Sequence, residues 1–293
     1  MFVNGIDVAA RFTRAIHTIV RNYGSDLVQP GAASLFFVNS SGWALTCKHV
    51  VGLLVETDKL GQRRSAFLNE VQALTGEKKM KRSLREAEEK HGFSKGKPFE
   101  THLSFVACVD QETPIHIVVH PELDLALVKF ERGKVLCDAF PVFASTGDDL
   151  KQGKFLCRLG FPFPEFTNYR YDPATNTTSW TQEGRQHSPR FPLEGMVTRH
   201  LAGPGGTILG FEMSTPGLRG QSGGPAFDTE GRVWGMQSAT NHLDLDFDIN
   251  VEVIRQGLKQ RVKDSAFLHV GQCVHVNPIK AFLRANNVEF VEG

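Results

Sequence analysis

The sequence predicts an all-β protein, and the prediction rests on the recurrence of short apolar runs along its 293 residues. The runs are rich in β-forming residues and are separated from one another by Gly, Pro and Asn. They do not alternate regularly with helical patterns. Many short strands at close spacing indicate a sandwich or a barrel rather than β-α units. The runs are Ser34–Val38, Ala44–Thr46, Ile115–Val119, Leu125–Phe130, Phe155–Leu159, Gly206–Glu212 and Arg232–Gln237.

Two segments depart from this β pattern. Between Lys59 and His91 the apolar residues recur every three or four positions, and Gly76 is placed to divide the segment into two helices. Near the C-terminus, Pro278 suits the first turn of a short helix. We therefore expect a helical insertion within the β fold and a short C-terminal helix.

The composition is that of a globular protein, with 41% hydrophobic and 22% charged residues. Lys and Arg number 33 against 32 acidic residues, so no overall field attracts nucleic acid or anionic lipid. No window approaches the roughly 20 apolar residues that span a bilayer. We expect neither a membrane nor a nucleic acid as a partner.

The five cysteines are an odd number without short paired spacings, which favours reduced thiols over a disulfide framework. Charged residues interrupt the apolar residues near the start, so no export signal is expected there. Five free, mostly buried cysteines and a cytoplasmic location are the resulting predictions.

The strongest chemical signal is the hexapeptide Gly220-Gln221-Ser222-Gly223-Gly224-Pro225. An attacking serine needs backbone amides directed at the point where a carbonyl oxygen becomes negative, and glycine at 220 permits such a turn. Flanking glycines also keep side chains away from an approaching peptide. Standing alone, the motif would also fit a Gly-rich turn between strands.

A serine nucleophile requires a base within hydrogen-bond reach and a carboxylate that orients the base. His49 follows an apolar strand into a predicted loop, and Asp124 immediately precedes the strand Leu125–Phe130. Singly, a histidine is more often structural, and an aspartate before a strand is usually a turn residue. Together with Ser222 they supply all three roles in one chain.

These motifs resemble the trypsin-like serine peptidases of the chymotrypsin superfamily, nearest their HtrA/Deg-like branch. The order His49, Asp124, Ser222 is that of the superfamily. Val50 stands where extracellular members carry a half-cystine. The resemblance implies a chymotrypsin-like double β-barrel, with barrels at about 20–137 and 138–290 in a single peptidase domain. The chain after Val276 is too short for a PDZ-like module.

The resemblance also implies the parts of the site. Ser222 would be the nucleophile, His49 the base and Asp124 its orienting partner, with the amides of Gly220 and Ser222 forming an oxyanion hole. The strand residues Ser238, Ala239 and Thr240 would pair with a peptide substrate.

By the same layout, Pro216 would form the floor of the specificity pocket, with Thr240 and Gly271 on its walls. None of the three carries charge, so the sequence predicts cleavage after apolar residues. Neither a metal nor an organic cofactor is expected. Cys273, His275 and His242 could be imagined as metal ligands, but a strand does not supply a fourth ligand, and a structural role is preferred.

The distance in sequence between His49 and Asp124 leaves room for an insertion at 57–100, with two further insertions expected at 165–190 and 241–268. The segment 57–100 carries an excess of basic residues, which is typical of a solvated helix face. It is also a candidate surface for a regulatory protein partner.

Two other classes of function remain open. The chain could be a silent module that keeps the fold and binds peptides along Ser238–Thr240, or an enzyme that is latent until a partner orders its oxyanion loop. A fluorophosphonate probe separates the three hypotheses. Labelling of Ser222 in the isolated protein would support an active enzyme, labelling only with a partner would support a latent enzyme, and no labelling would support the silent module.

Overall fold

The computed structural model describes residues 1–74, 80–255 and 258–293. Its four α-helices are α1 (Val3–Phe12), α2 (Lys48–Ala73), α3 (Met80–His91) and α4 (Val276–Ala285). The strands are β1 (Thr13–Asn22), β2 (Val28–Phe37), β3 (Trp43–Thr46), β4 (Pro98–Phe105), β5 (Ile115–Val119), β6 (Ala126–Phe130), β7 (Val142–Phe143), β8 (Phe155–Gly160), β9 (Tyr169–Asp172), β10 (Thr177–Trp180), β11 (Phe191–Ala202), β12 (Ile208–Met213), β13 (Pro225–Phe227), β14 (Val233–Arg255), β15 (Leu258–His275) and β16 (Val291–Glu292).

The first half of the chain forms a six-stranded sheet in the order β4-β1-β2-β3-β6-β5, in which every neighbouring pair is antiparallel. β3 and β6 lie side by side, and Thr46 is paired with Ala126. This pairing brings the residue after β3 close to the residue before β6, although about eighty positions of chain separate them.

The second half forms a sheet in the order β13-β8-β11-β12-β15-β14. β13 is hydrogen-bonded to β14 as well as to β8, so these six strands close on themselves as a barrel. Closure leaves no free edge among them. The short strands β7 and β16 extend the sheet beyond β14 in parallel pairing.

A continuous apolar core joins the two halves. Phe36 of β2 packs against Phe143 of β7, with ring centroids 6.4 Å apart. The same buried cluster includes Phe227 of β13 and Ile279 of α4. Burial of apolar area is the dominant favourable term in folding, so this shared core holds the halves in a fixed relation around the space between them.

The helical insertion has its own small core. Leu60 and Phe67 of α2 and Ala87 of α3 are buried with Phe93 and with Phe99 of β4. The expected helical pattern is confirmed on both sides of residues 75–79, which lie outside the described part; they include Gly76, where the division was placed. The bounds differ from 57–100, because α2 begins at Lys48 and β4 begins at Pro98.

The other two expected insertions adopt β-structure. Within 165–190, β9 and β10 form a two-stranded hairpin of their own. Residues 241–255 and 258–268 continue β14 and β15 outward as a long paired ribbon, with a register shift between Asp244 and Asp248. Each of the seven predicted runs corresponds to a strand, but β2 begins earlier, at Val28, and β14 continues well beyond Gln237 to Arg255. β1, β4 and the N-terminal helix α1 are among the elements that were not predicted.

All five cysteines are free, and four of them are buried, as expected. The short C-terminal helix is also confirmed as α4. Among the described helices, none combines the length and hydropathy needed to cross a membrane.

Candidate active site

His49 lies at the junction between β3 and α2. The sequence predicted a strand followed by a loop, but α2 begins at Lys48 and His49 occupies its first turn. Asp124 stands two residues before β6, and the pairing of Thr46 with Ala126 brings it beside this turn. The β3–β6 ladder therefore positions the histidine and the aspartate together.

The His49 and Asp124 side chains are in direct hydrogen-bond contact, with Nδ1 2.8 Å from Oδ2. The backbone N–H of His49 donates to the other carboxylate oxygen, Oδ1, at 2.9 Å. Two bonds from one residue fix the orientation of the carboxylate relative to the imidazole. With Nδ1–H donated to Asp124, Nε2 is left as the lone-pair nitrogen.

Ser238 supplies a third hydrogen bond to Asp124, since its Oγ donates to Oδ2 at 2.6 Å. Burial would raise the pKa of Asp124, but the hydrogen bonds from His49 and Ser238 outweigh burial and lower the pKa to about 2. The carboxylate is therefore ionised throughout the neutral range, which favours the tautomer of His49 described above.

The loop that carries Ser222 connects β12 to β13 and fits tightly between the two sheets. Gly220 has a φ of +93°, and a Cβ there would lie 2.4 Å from the carbonyl oxygen of Phe161. Gly223 has a φ of +86°, and a Cβ there would lie 2.1 Å from the carbonyl oxygen of Ser34. Glycine is required at both positions by conformation and by space.

Ser34 of β2 holds this loop from the opposite sheet. Its Oγ donates to the carbonyl of Gly220 at 2.7 Å, and its backbone N–H donates to the carbonyl of Ser222 at 3.0 Å. Thr46 in turn donates through Oγ1 to the carbonyl of Ser34 at 2.8 Å. The first sheet thus sets the position of a loop that belongs to the second.

Ser222 lies in this site, but its hydroxyl is not bonded to His49. Its Oγ donates to the backbone carbonyl of Ser238 at 3.3 Å, and within the described part of the chain no hydrogen bond joins Ser222 to the imidazole. A serine hydroxyl has one hydrogen, so proton transfer to Nε2 requires the hydroxyl to give up its bond to Ser238. Long or misaligned catalytic hydrogen bonds are common in unliganded sites.

The backbone N–H groups of Gly220 and Ser222 are free of protein acceptors among residues 1–74, 80–255 and 258–293. Gln221 between them is fully buried and accepts from the N–H of Leu218 at 3.1 Å through its side-chain oxygen. The buried glutamine holds the loop from inside, while the two flanking N–H groups keep their donor capacity for a ligand.

The predicted substrate strand has a neighbour on one side at these positions. Ala239 and Thr240 of β14 pair with Gln272 and Gly271 of β15, and a bulge between Gln237 and Ala239 leaves Ser238 outside the ladder. The bulge explains how Ser238 turns its Oγ towards Asp124 while its carbonyl faces Ser222.

A cavity of about 480 Å³ opens beside Ser222. Its lining includes Pro216, Ser238, Ala239 and Thr240, whereas Gly271, which was expected on its wall, is not part of the lining. A Cβ on Gly271 would lie 1.9 Å from Nη1 of Arg158, a fully buried residue of β8. The pocket is therefore backed by a cation, which the uncharged residues chosen from the sequence did not reveal.

The site contains contributions that were missed at the sequence level. Ser34 carries no local signal, because its role depends on the opposite sheet. Arg158, in contrast, has a signal in the sequence. It is the single charged residue in the strand Phe155–Gly160, at a position that a barrel buries.

One group among the described residues has the proximity for a metal ion, formed by Cys47, His49 and Asp124. Burial and the nearby Asp124 carboxylate raise the pKa of the Cys47 thiol, which keeps it neutral, and its Sγ donates to the carbonyl of Gln237 at 3.2 Å. The other two side chains are bonded to each other. These three side chains therefore fit a hydrogen-bonded His–Asp pair beside a neutral thiol better than a metal site. Of the other imagined ligands, the buried His275 caps α4 and His242 contacts His269.

The family model of the trypsin-like peptidase domain matches residues 33–236. This range contains His49, Asp124 and Ser222 and covers most of the chain. The six-stranded sheet, the closed second barrel and the serine loop between them form a serine peptidase fold. The chain belongs to the family of trypsin-like peptidase domains, as the sequence resemblance implied.

Solved structures with a similar fold include HtrA-type proteases. The protease AlgW with a decapeptide matches with a TM-score of 0.48 and 12% identity, covering 97% of this chain and 67% of that one. AlgW with a tripeptide also has a TM-score of 0.48 and 12% identity, covering 97% of this chain and 63% of that one. The chain thus spans about two thirds of the length of these structures. No curated protein sequence matches it.

Proposed function

We propose that this chain is a serine endopeptidase that hydrolyses peptide bonds through an acyl-enzyme intermediate. Ser222 Oγ attacks the scissile carbonyl, and His49 Nε2 accepts the hydroxyl proton and later delivers it to the leaving amine. Asp124 orients the imidazole and stabilises its cationic form. The N–H groups of Gly220 and Ser222 bind the negative oxygen.

The observation that carries this proposal is the set of hydrogen bonds around Asp124. Its Oδ2 accepts from both His49 Nδ1 and Ser238 Oγ, and the carbonyl of Ser238 accepts from Ser222 Oγ. Nucleophile, base and carboxylate are thus linked through one short chain of bonds. The free N–H groups of Gly220 and Ser222 support the oxyanion role.

A second candidate, the latent enzyme, is favoured by one specific observation. The Ser222 hydroxyl donates to Ser238 rather than to His49, so the nucleophile is not aligned with its base in this conformation. A partner or substrate that rotates Ser222 would complete the arrangement. The insertion at 57–100 is a proposed contact surface for such a partner, because α2 carries His49 in its first turn.

Labelling with a fluorophosphonate, combined with hydrolysis of a peptide library, tests the proposal. We expect Ser222 to be labelled in the isolated protein, and Ala at Ser222, His49 or Asp124 to reduce hydrolysis by several orders of magnitude. Double substitutions should add little, because the residues act as one unit. Ser179→Ala, on the exposed part of β10, is the matched control and should leave the rate unchanged.

Labelling only after a cell extract or partner is added would support the latent enzyme instead. If the protein is folded but is never labelled and never cleaves peptides, the remaining hypothesis is the silent peptide-binding module. We also propose a cytoplasmic location on the ground of the five free cysteines. Cell fractionation tests it.

A further inference from the structure

Arg158 is a buried cation with no carboxylate partner among the described residues. Its side chain is 0% exposed, and its Nη1 donates to Gln237 Oε1 at 2.6 Å. Its Nη2 donates to Thr215 Oγ1 at 2.6 Å and to the carbonyl of Pro216 at 3.1 Å, while Nε has no partner. Buried charges in proteins are normally paired, because an unpaired charge loses its hydration without compensation.

The groups around Arg158 do not neutralise it. Burial raises the pKa of both neighbouring thiols, Cys157 and Cys273, to about 12, so neither is a thiolate at neutral pH. The buried carboxylate of Glu212 lies on β12, which β11 separates from β8, and it is already bonded to Arg199. The positive charge behind the pocket is therefore uncompensated.

This charge lies directly behind the cavity beside Ser222. Two residues that contact Arg158, Pro216 and Gln237, form part of the cavity lining. Charges separated by protein rather than water interact strongly, so the field of Arg158 extends into the cavity. Gly271 is required for this placement, because any side chain there would collide with Nη1.

Arg158 also determines how Gln237 is presented. Because Oε1 of Gln237 accepts from the guanidinium, its Nε2 is turned the other way and donates to the carbonyl of Ala239 at 2.7 Å. The amide nitrogen lies so close to Gly217 that a Cβ there would be 2.2 Å from it. The wall of the cavity is thus a hydrogen-bond donor polarised by a cation.

The rest of the cavity has the same electrostatic character. The titratable side chains that line it are the exposed Arg219, His242 and His269, and the described lining contains neither Asp nor Glu. Every ionisable group of the lining can therefore carry only positive charge. A carboxylate entering the cavity would meet donors and cations on several sides.

We propose that this cavity selects an acidic side chain, Glu or Asp, at the substrate residue whose carbonyl Ser222 attacks. The inference rests on the proposed function and replaces the apolar preference predicted from the sequence. The carboxylate of the substrate would be the counter-charge that Arg158 lacks. The amide of Gln237, polarised by its bond to Arg158, would carry the electrostatic effect of the guanidinium to that carboxylate. Arg158 is thus a specificity-determining residue that acts on the cavity through its contacts with Gln237 and Pro216. The absence of a side chain at Gly271 leaves room for its guanidinium.

The test compares matched peptides that carry Glu or Gln, and Asp or Asn, at the cleaved position. We expect kcat/KM to be higher for Glu than for Gln by about tenfold or more. Arg158→Met should abolish this ratio, Arg158→Lys should retain part of it, and the exposed control Arg170→Met should leave it unchanged. A purely structural role for Arg158 would lower cleavage of both peptides equally.

A binding measurement separates failure of this inference from failure of the proposed function. Calorimetry would measure how tightly the Ser222→Ala variant binds the Glu and Gln peptides, which it does not cleave. This measurement depends neither on catalysis nor on the folding of an Arg158 variant. Tighter binding of the Glu peptide by about tenfold supports acidic selection even if the wild-type protein cleaves nothing. Equal binding, or faster cleavage after Leu or Phe than after Glu, overturns it, and cleavage after apolar residues would leave the peptidase proposal standing.

Discussion

Asp124 is the residue through which the candidate site is assembled. Its two oxygens accept three hydrogen bonds, two from His49 and one from Ser238. The lowered pKa of Asp124, about 2, means that a variant lacking one donor still carries an ionised carboxylate at neutral pH. Ser238 therefore contributes to the orientation of the carboxylate rather than to its ionisation.

Ser238→Ala should lower kcat by about tenfold while KM changes little, because a hydrogen bond to a charged group is lost from the positioning of Asp124. Steady-state kinetics at several pH values would measure this. The reduction should be the same at every pH above about 5, since the carboxylate remains ionised there. Ser238→Thr, which keeps a hydroxyl, should restore much of the rate. A rise in KM with unchanged kcat would assign Ser238 to substrate binding alone.

The helical insertion and the β9–β10 hairpin are two elements that meet at one buried carboxylate. Glu100 of β4 pairs with Arg21 at 3.0 Å, with both side chains less than 5% exposed, and accepts from the N–H of Thr178 at 3.1 Å. Arg64 of α2 lies 3.6 Å from the same carboxylate and donates to the carbonyl of Asn176 at 2.7 Å. This network joins both insertions to the first sheet.

Glu100→Gln should destabilise the protein by about 3 kcal/mol at pH 7, because it leaves the buried Arg21 without its counter-charge. Burial would raise the pKa of Glu100, but hydrogen bonds from His102 and Thr178 and the charge of Arg64 lower it to about 2. The stabilisation is therefore complete above the unfolded pKa of about 4.3 and is lost as pH falls towards 2.

Denaturant unfolding of wild type and Glu100→Gln at pH 7 and pH 3 would test this, with a smaller difference expected at pH 3. Glu86→Gln is the control, since its exposed pair with Arg82 should contribute less than about 0.5 kcal/mol. An equal loss of stability at both pH values would show that packing rather than charge is responsible.

Replacement of Lys59–Lys97 by a short Gly-Ser linker should give folded protein with lower stability and retained basal cleavage. The first turn of α2 with His49 is kept, but Phe99 and Tyr23 lose their aromatic partners Phe67 and Phe93. Thermal unfolding and peptide hydrolysis, with and without a stimulating partner, measure both effects.

Altered stimulation in this variant would support a regulatory role for the segment 57–100. Unchanged basal and stimulated cleavage would leave it as a structural addition to the first sheet. Loss of folding would contradict the prediction, because it would show that the first sheet depends on the insertion.

At the scale of the whole molecule, the site lies where the two halves meet. His49 and Asp124 lie next to the ends of β3 and β6 in the first sheet, whereas Ser222 lies in a loop of the second sheet and Ser238 in its strand β14. Ser34 connects them, since its Oγ and N–H bond to both ends of the Gly220–Ser222 loop segment. The relative position of nucleophile and base therefore depends on contacts between the sheets.

Ser34→Ala should slow fluorophosphonate labelling by about tenfold while reducing stability by only about 1 kcal/mol, because it removes one buried hydrogen bond to the loop. The backbone bond from Ser34 to Ser222 is retained, so folding should survive. Ser40→Ala, in the exposed turn after β2, is the control and should change neither quantity. A labelling rate equal to that of wild type would show that the glycines alone position the loop.

The sequence by itself determined the parts of this protein that depend on local pattern. Short apolar runs of strand length, rich in β-forming residues and separated by Gly, Pro and Asn, predicted seven strands. Residue types in a specific order placed His49, Asp124 and Ser222 as candidates. The glycines at 220 and 223 were predicted from chemistry, and the left-handed φ values agree with their conformational role.

Only the tertiary structure decided what depends on residues distant in sequence. The loop position set by Ser34, the bulge that turns Ser238 towards Asp124 and the start of α2 at Lys48 follow from packing between strands, which local propensity does not encode. The charge behind the pocket was missed for the same reason. Arg158 is 58 residues from Pro216, whose carbonyl it contacts, and only closure of the second barrel brings the two together.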